Sequence, residues 1–187
     1  MAIEFNLPTN LTLLRIFLIP LLAVVFYIPW EYSNFTCTVI FIVAGVTDWL
    51  DGYLARKMDL ETPFGAFLDP VADKLMVAFV LVLIVQQEAS PYLAIPSAII
   101  IGREITIASL REWMAELGQR AKVKVSQLGK WKTTSQIVAI SMLLFERDLF
   151  GLPIKMMGYF LLYVAAILTL WSMANYLRAA WVAIKNE

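Results

Sequence analysis

Histidine is absent from this 187-residue chain, so imidazole catalysis and histidine-ligated zinc or iron are excluded, and any metal must sit on oxygen ligands. Cysteine occurs once. Cys37 cannot close an internal disulfide, and its apolar surroundings favour an inert buried thiol over redox chemistry. Charge is scarce as well: Asp, Glu, Lys and Arg make up 16% of the residues against 60% hydrophobic, the formal net charge is +0, and the mean hydropathy is +0.73. That is far too apolar for a soluble domain of this size. The first ten residues hold Glu4 and no Lys or Arg. The apolar run after them is about twice the length of a signal-peptide core, so it is expected to stay as a helix rather than be cleaved. The chain shows no internal repeat and no low-complexity segment.

What is abundant is apolar sequence in runs of membrane-spanning length. They cover Leu11 to Trp30, Phe35 to Leu54, Val71 to Val85, Tyr92 to Leu110, about Lys132 to Phe145, and Ile154 to Val182. A bilayer core takes roughly 20 apolar residues per helix, so the expected fold is all-α: a polytopic membrane protein of six transmembrane helices, with residues 1–187 forming one integral membrane catalytic domain. The fifth run is the most dilute, because Thr133, Thr134, Ser135 and Gln136 open it. Basic residues alternate between connections. Arg56, Lys57 and Lys74, then Arg111, Arg120, Lys122, Lys124, Lys130 and Lys132, and finally Arg178 and Lys185 fall on one side, with Arg147 and Lys155 on the other. The positive-inside rule then puts both termini and the basic loops in the cytoplasm. Trp30, Trp113, Trp131 and Trp181 fall near helix ends, as an interfacial belt requires.

The chemistry is concentrated between Asp48 and Asp73. Asp48 and Asp51 are three apart, Asp69 and Asp73 four apart, so each pair projects from one helical face. The short connection from Arg56 to Phe64 is expected to make the two helices antiparallel neighbours and to let all four acids meet in one pocket. An aspartate at the centre of a lipid-exposed helix costs about 2.5–3.5 kcal/mol, and four together repel, so a cation must sit among them. With oxygen ligands alone the fitting ions are Mg²⁺ or Mn²⁺. Four carboxylates can hold two of them, the arrangement that stabilises both oxygens of a phosphoryl transfer. Gly52 and Ala55 share the face of the first acid pair and remove bulk, letting a flat base approach, and Gly65 can do the same from the next helix. Arg56 can fork onto phosphate oxygens.

The spacing D-x2-D-G-x2-A-R-x8-G-x3-D-x3-D resembles the complete signature of the CDP-alcohol phosphotransferase family, with eight specified positions matching over 26 residues. The opening Pro8 to Arg15 is similar to the family's usual one, which commonly has Asn where this chain has Thr9. Gly102-Arg103-Glu104, Ser109 to Gly118, Gly129 to Thr134 and Leu170 to Met173 resemble a bacterial branch of the family, so the likeness runs nearly end to end. The resemblance implies that Asp48, Asp51 and Asp69 ligate metal, that Asp73 both touches metal and acts as general base, and that Gly52, Ala55, Arg56 and Gly65 hold the CDP group. It further implies two divalent cations, Mg²⁺ or Mn²⁺, and transfer of a phosphatidyl group from CDP-diacylglycerol to sn-glycerol 3-phosphate, giving phosphatidylglycerol phosphate and CMP. The implied setting is a homodimer among membrane lipids, with no nucleic acid partner. It lies in the bacterial inner membrane, with the active site facing the cytoplasm. An acceptor that is itself phosphorylated needs cations, and Arg103, Arg111, Lys130 and Lys132 are the residues expected to supply them.

Plainer readings stand beside these. Asp69 precedes Pro70 and can be an N-cap with proline at the first helical position, a reading weakened by Asp73 and the other acid pair. Asp59 and Glu61 read as solvated loop charges, and Arg120, Lys122 and Lys124 as topology signals that meet anionic headgroups. Three alternatives to the proposed activity remain. A sibling enzyme would take inositol phosphate, serine or phosphatidylglycerol. A cation transporter leaves the Gly, Ala and Arg positions without a reason, and a prenyltransferase leaves the spacing without one.

Overall fold

The computed structural model describes residues 6–58, 62–117 and 127–185; inside its helices the side chains of residues 7, 8, 49, 53–56, 58, 63, 127–132, 183 and 184 lie outside that description. Asp59, Glu61, Arg120, Lys122 and Lys124 therefore lie outside the described residues, as does the side chain of Trp131. The rest folds into six helices: α1 (Leu7–Tyr27), α2 (Ser33–Met58), α3 (Pro63–Glu88), α4 (Pro91–Glu116), α5 (Gln127–Phe145) and α6 (Ile154–Lys185). Four of these contain stretches long and apolar enough to cross a membrane: Thr9–Tyr27, Ser33–Gly52, Pro91–Glu116 and Ile154–Val182. A shorter apolar stretch, Thr133–Phe145, lies in α5. The expected all-α, polytopic membrane architecture is what the chain adopts.

Helix starts follow local capping chemistry. Asn6 accepts the backbone N–H of Thr9 at 3.0 Å, Thr62 accepts that of Gly65 at 3.0 Å with Pro63 opening α3, and Ser90 accepts that of Tyr92 at 3.3 Å with Pro91 opening α4. Each cap satisfies an amide that has no intrahelical partner, and a proline just inside forfeits none. Because Thr62 is the cap of α3, Asp69 and Pro70 lie within that helix, and the N-cap reading of Asp69 falls. The helices also run past the apolar segments that announced them: α2 continues to Met58, α3 begins at Pro63, and α5 begins at Gln127. Hydropathy marks only the stretch that needs lipid, whereas backbone hydrogen bonding carries a helix on until a cap or breaker ends it.

The helix order is not the order of packing. α1 lies along both α2 and α3, which touch each other only lightly, so the expected direct pairing of α2 with α3 is largely replaced by α1 between them. α5 packs on α6 and α2, and α4 on α6 and α3. Gly158 is part of the α5–α6 seam: a Cβ there would lie 3.0 Å from Leu143 Cγ and 3.1 Å from Met142 Cβ. The main apolar core includes Leu22, Phe41, Val80, Leu81, Ile100, Ile140 and Leu162. Cys37 is in the same core, fully buried, with its thiol 3.7 Å from the Leu22 carbonyl, as expected of an inert cysteine.

Polar side chains gather at the two ends of this core. At the far end of α3, Lys155 of α6 pairs with Glu88 and, at 2.7 Å, with Glu146. Tyr159 donates to Glu88, while Asn34 and Gln87 donate to Glu146 at 2.8 and 2.9 Å. The other end holds the aspartates.

Candidate active site

The first turns of α1 organise the acids. Thr12 and Arg15 are three residues apart and so share a face of α1. Arg15 Nη1 and Nη2 donate to Asp48 Oδ1 and Asp51 Oδ2 on α2. The Thr12 hydroxyl donates to Asp69 Oδ1 on α3 and lies 3.4 Å from Asp51 Oδ2. Arg15 is 1% exposed, Asp51 2%, and Thr12 fully buried, so these contacts operate away from bulk water, where a charge requires a partner. Asp48 and Asp69 are half-buried. Three acids from two helices are thus tied together through a third helix that the aspartate signature does not include.

Asp73 stands one turn beyond Asp69 on α3 and is exposed. Asp48, Glu104 and Arg15 are all near enough to act electrostatically on its carboxylate, which places it beside the acid cluster. It also lines a cavity of about 150 Å³ with Lys74, Arg103, Glu104, Arg111, Thr133, Gln136 and Tyr176, contributed by α3, α4, α5 and α6. Arg103 is buried there by specific contacts: its Nη2 donates to Ser172 Oγ at 3.0 Å, its Nη1 pairs with Glu104 at 3.2 Å, and its guanidinium carbon lies 5.6 Å from the Tyr176 ring centroid. Arg111 follows two turns later on α4, on the same face as Arg103 and the buried Ile107. Three cations stand in this small cavity against two carboxylates, Asp73 and the Arg103-paired Glu104, a balance that suits an anionic group bound beside Asp73.

The structure therefore joins Asp48, Asp51 and Asp69 through α1, and joins Asp73 to Arg103 and Arg111 through the cavity. Gly52 is half-buried on α2 directly after Asp51. Gly65 is buried, and a Cβ there would lie 3.1 Å from Thr62 Oγ1 and 3.3 Å from Thr9 Oγ1. Its missing side chain thus has a packing reason at the α1–α3 contact, beside any part in admitting a nucleotide. Thr9, 1% exposed, donates its hydroxyl to Asn6 Oδ1 at 2.7 Å and lies 3.4 Å from the Thr62 hydroxyl. Ala55, Arg56, Lys130 and Lys132 sit on α2 and α5, but their side chains lie outside the described residues. Sequence reasoning missed Thr12, Arg15 and the cavity role of Lys74. The signal for the first two was their i, i+3 spacing as polar residues within the first apolar run; Lys74 read as a topology charge.

The donor set fits divalent cations. Arg15 pairs with Asp48 and Asp51 while Asp69 is held by the neutral Thr12, so three carboxylates stand against one guanidinium at a partly buried place. All ligands there are hard oxygens.

Comparison with known proteins settles the lineage: the family model for CDP-alcohol phosphatidyltransferase matches residues 5–171. The chain belongs to that family. Members are generally dependent on divalent metal. A Haemophilus influenzae protein named CDP-diacylglycerol--glycerol-3-phosphate 3-phosphatidyltransferase is 54% identical over 177 residues, covering 95% of this chain and 94% of the relative. Proteins of the same name from Escherichia coli and Shigella flexneri are each 52% identical over 177 residues, covering 95% of this chain and 96% of theirs.

Proposed function

We propose that this membrane protein transfers the phosphatidyl group of CDP-diacylglycerol to sn-glycerol 3-phosphate, yielding phosphatidylglycerol phosphate and CMP. The observation that carries the reading is the cavity in which the Asp73 carboxylate meets Lys74, Arg103 and Arg111. The relatives of the same length carry the name of this reaction.

The acceptor phosphate would be held by Arg103 and Arg111, with Lys74 adding charge; arginine's planar fork matches phosphate oxygens. Lys130 and Lys132 of α5 are assigned to the same acceptor site. Asp73 would accept the proton of the primary hydroxyl. The freed oxygen forms a bond to the phosphorus that carries diacylglycerol, and the bond from that phosphorus to the bridging oxygen of CMP breaks, so CMP departs with the electron pair. Asp48, Asp51, Asp69 and Asp73 would hold two divalent cations, Mg²⁺ or Mn²⁺, which when bound neutralise the pyrophosphate and the departing CMP phosphate. Gly52, Ala55, Arg56 and Gly65 are assigned to the CDP group. With little covalent work for the protein, positioning and electrostatics supply most of the acceleration.

The diacyl tails stay in lipid while the charged substrates arrive from water. The basic connections support a cytoplasmic position for that side and for both termini, in a bacterial inner membrane. A single catalytic domain over 1–187 and a homodimer, the latter carried over from the family resemblance, complete the reading.

CMP release by the purified protein tests it, with CDP-diacylglycerol and Mg²⁺ and with glycerol 3-phosphate, inositol phosphate, serine and phosphatidylglycerol supplied in parallel. Release with glycerol 3-phosphate alone is expected. Release with another acceptor moves the activity to a sibling reaction, and none from folded protein removes the transferase reading.

A further inference from the structure

Arg15 is a guanidinium buried to 1% exposure in a helix of lipid-spanning character, and its Nε has no hydrogen-bond partner among the described residues. Its hold therefore rests on Nη1 and Nη2, which engage Asp48 and Asp51. A buried cation with one side unsatisfied is a costly feature to place at a purely structural position, where an apolar residue of similar volume often serves as well. The charge has a use where it stands. Asp48 and Asp51 lie one turn apart on α2, with Asp69 brought alongside by Thr12, and without a positive group among them the three carboxylates would repel the helices that carry them.

We propose that Arg15 is a resident counter-cation of this acid cluster: it holds Asp48 and Asp51 before divalent cations bind, and the cations then compete with it for the same carboxylates. The inference rests on the proposed metal dependence. Two observations favour competition over support from behind. Arg15 Nη1 and Nη2 take up one oxygen of Asp48 and one of Asp51, the same carboxylates proposed to hold the cations. Thr12 already anchors Asp69 and reaches Asp51 without bringing any charge, so orienting those two acids does not require a guanidinium. By linkage, a group that stabilises the cation-free state more than the loaded one lowers cation affinity by the same factor. Arg15 trades some affinity for a cluster that is assembled before loading.

The test follows unfolding temperature, not turnover, in wild type, Arg15→Gln and Arg15→Lys purified in lipid nanodiscs with Mn²⁺, stripped with EDTA and titrated with Mn²⁺. Arg15→Gln is expected to unfold well below wild type in EDTA and to recover as Mn²⁺ is added. Its midpoint should lie at a concentration at least about five-fold lower than that of wild type, with Arg15→Lys between them. Protein that folds only in the presence of Mn²⁺ is the extreme form of the same result. An equal drop with and without Mn²⁺ makes Arg15 a packing residue, and a midpoint unchanged or raised makes it a support for the metal; either overturns the proposal. If Arg15→Gln folds in neither condition, Arg15→Lys carries the test, and an unchanged or raised midpoint overturns it there. A wild type that does not respond to Mn²⁺ overturns the metal reading and this inference with it, whereas a responsive wild type with no displacement in the variants overturns only the role of Arg15.

Discussion

Thr12 of α1 donates a hydrogen bond to Asp69 of α3 across 57 positions of sequence, and the same hydroxyl lies 3.4 Å from Asp51 of α2. One side chain thus sets the separation of carboxylates that belong to different helices. Thr12→Val keeps the shape and removes the donor. Partners of metal-ligating groups typically contribute about 10–100-fold to affinity or activity, so CMP release by Thr12→Val should fall by about that much at limiting Mg²⁺ and recover partly at high Mg²⁺. Thr12→Ser, which restores the hydroxyl, should return most of the loss at every Mg²⁺ concentration. A Mg²⁺ dependence equal to wild type in Thr12→Val would show that the hydroxyl does not position the acids.

Asp73 is the one signature aspartate that is both near the acid cluster and open to the cationic cavity. Asp73→Asn keeps the size and loses the base. A positioned general base is worth about 10²–10⁴-fold, and turnover measured as CMP release should fall at least that far. Binding of the CDP-lipid, read from its protection against thermal unfolding, should be largely kept. Near-normal turnover would transfer the role of base to another group.

The helices were legible from apolar runs because lipid demands them, and the acid pairs from spacing because one helical turn puts i, i+3 and i+4 on one face. What could not be read was the third party. Arg15 is a lone charge inside the first apolar run, and nothing in local periodicity links it to Asp48 or Asp51. The start of α3 is hidden for a related reason: hydropathy marks the helix only from Val71, while the working cap, Thr62-Pro63, lies in a polar stretch that hydropathy passes over. The cavity joins side chains from four helices, so Lys74 could be seen as part of it only after packing was known. Gly65 carried a signal with two physical readings, nucleotide access and the close approach of Thr9 and Thr62.

Arg111 lies on the exposed margin of the cavity, whereas Arg103 is bound into its wall by Ser172, Glu104 and Tyr176. Arg111→Gln should therefore act on substrate contact without disturbing packing. We expect the KM for glycerol 3-phosphate to rise about ten-fold or more, as for loss of a charged hydrogen bond, while the KM for CDP-diacylglycerol stays within about two-fold. Initial rates with each substrate varied in turn decide it. An equal rise in both would move Arg111 from the acceptor to the donor side.

Lys155 binds Glu88 and Glu146 at the end of the bundle remote from Asp73. Glu88 follows Asp73 by fifteen residues on the same helix, about 22 Å at the usual rise. The lysine side chain is 35% exposed and the two glutamates 18% and 28%, so solvent screens the cluster and only part of its Coulomb energy reaches stability. Removing the shared cation nevertheless leaves two partly buried carboxylates facing each other where α3 and α5 end and α6 begins, an asymmetry costlier than losing the whole group. Lys155→Met should lower the unfolding temperature by about 4 °C or more. Adding Glu88→Gln, which removes one of the opposed charges, should restore part of it. Because the cluster lies far from the acids, the rate of CMP release per folded molecule should not change at temperatures where both proteins are folded. A drop in that rate with no drop in unfolding temperature would mean that this end of α3 is coupled to the site rather than serving as its clamp.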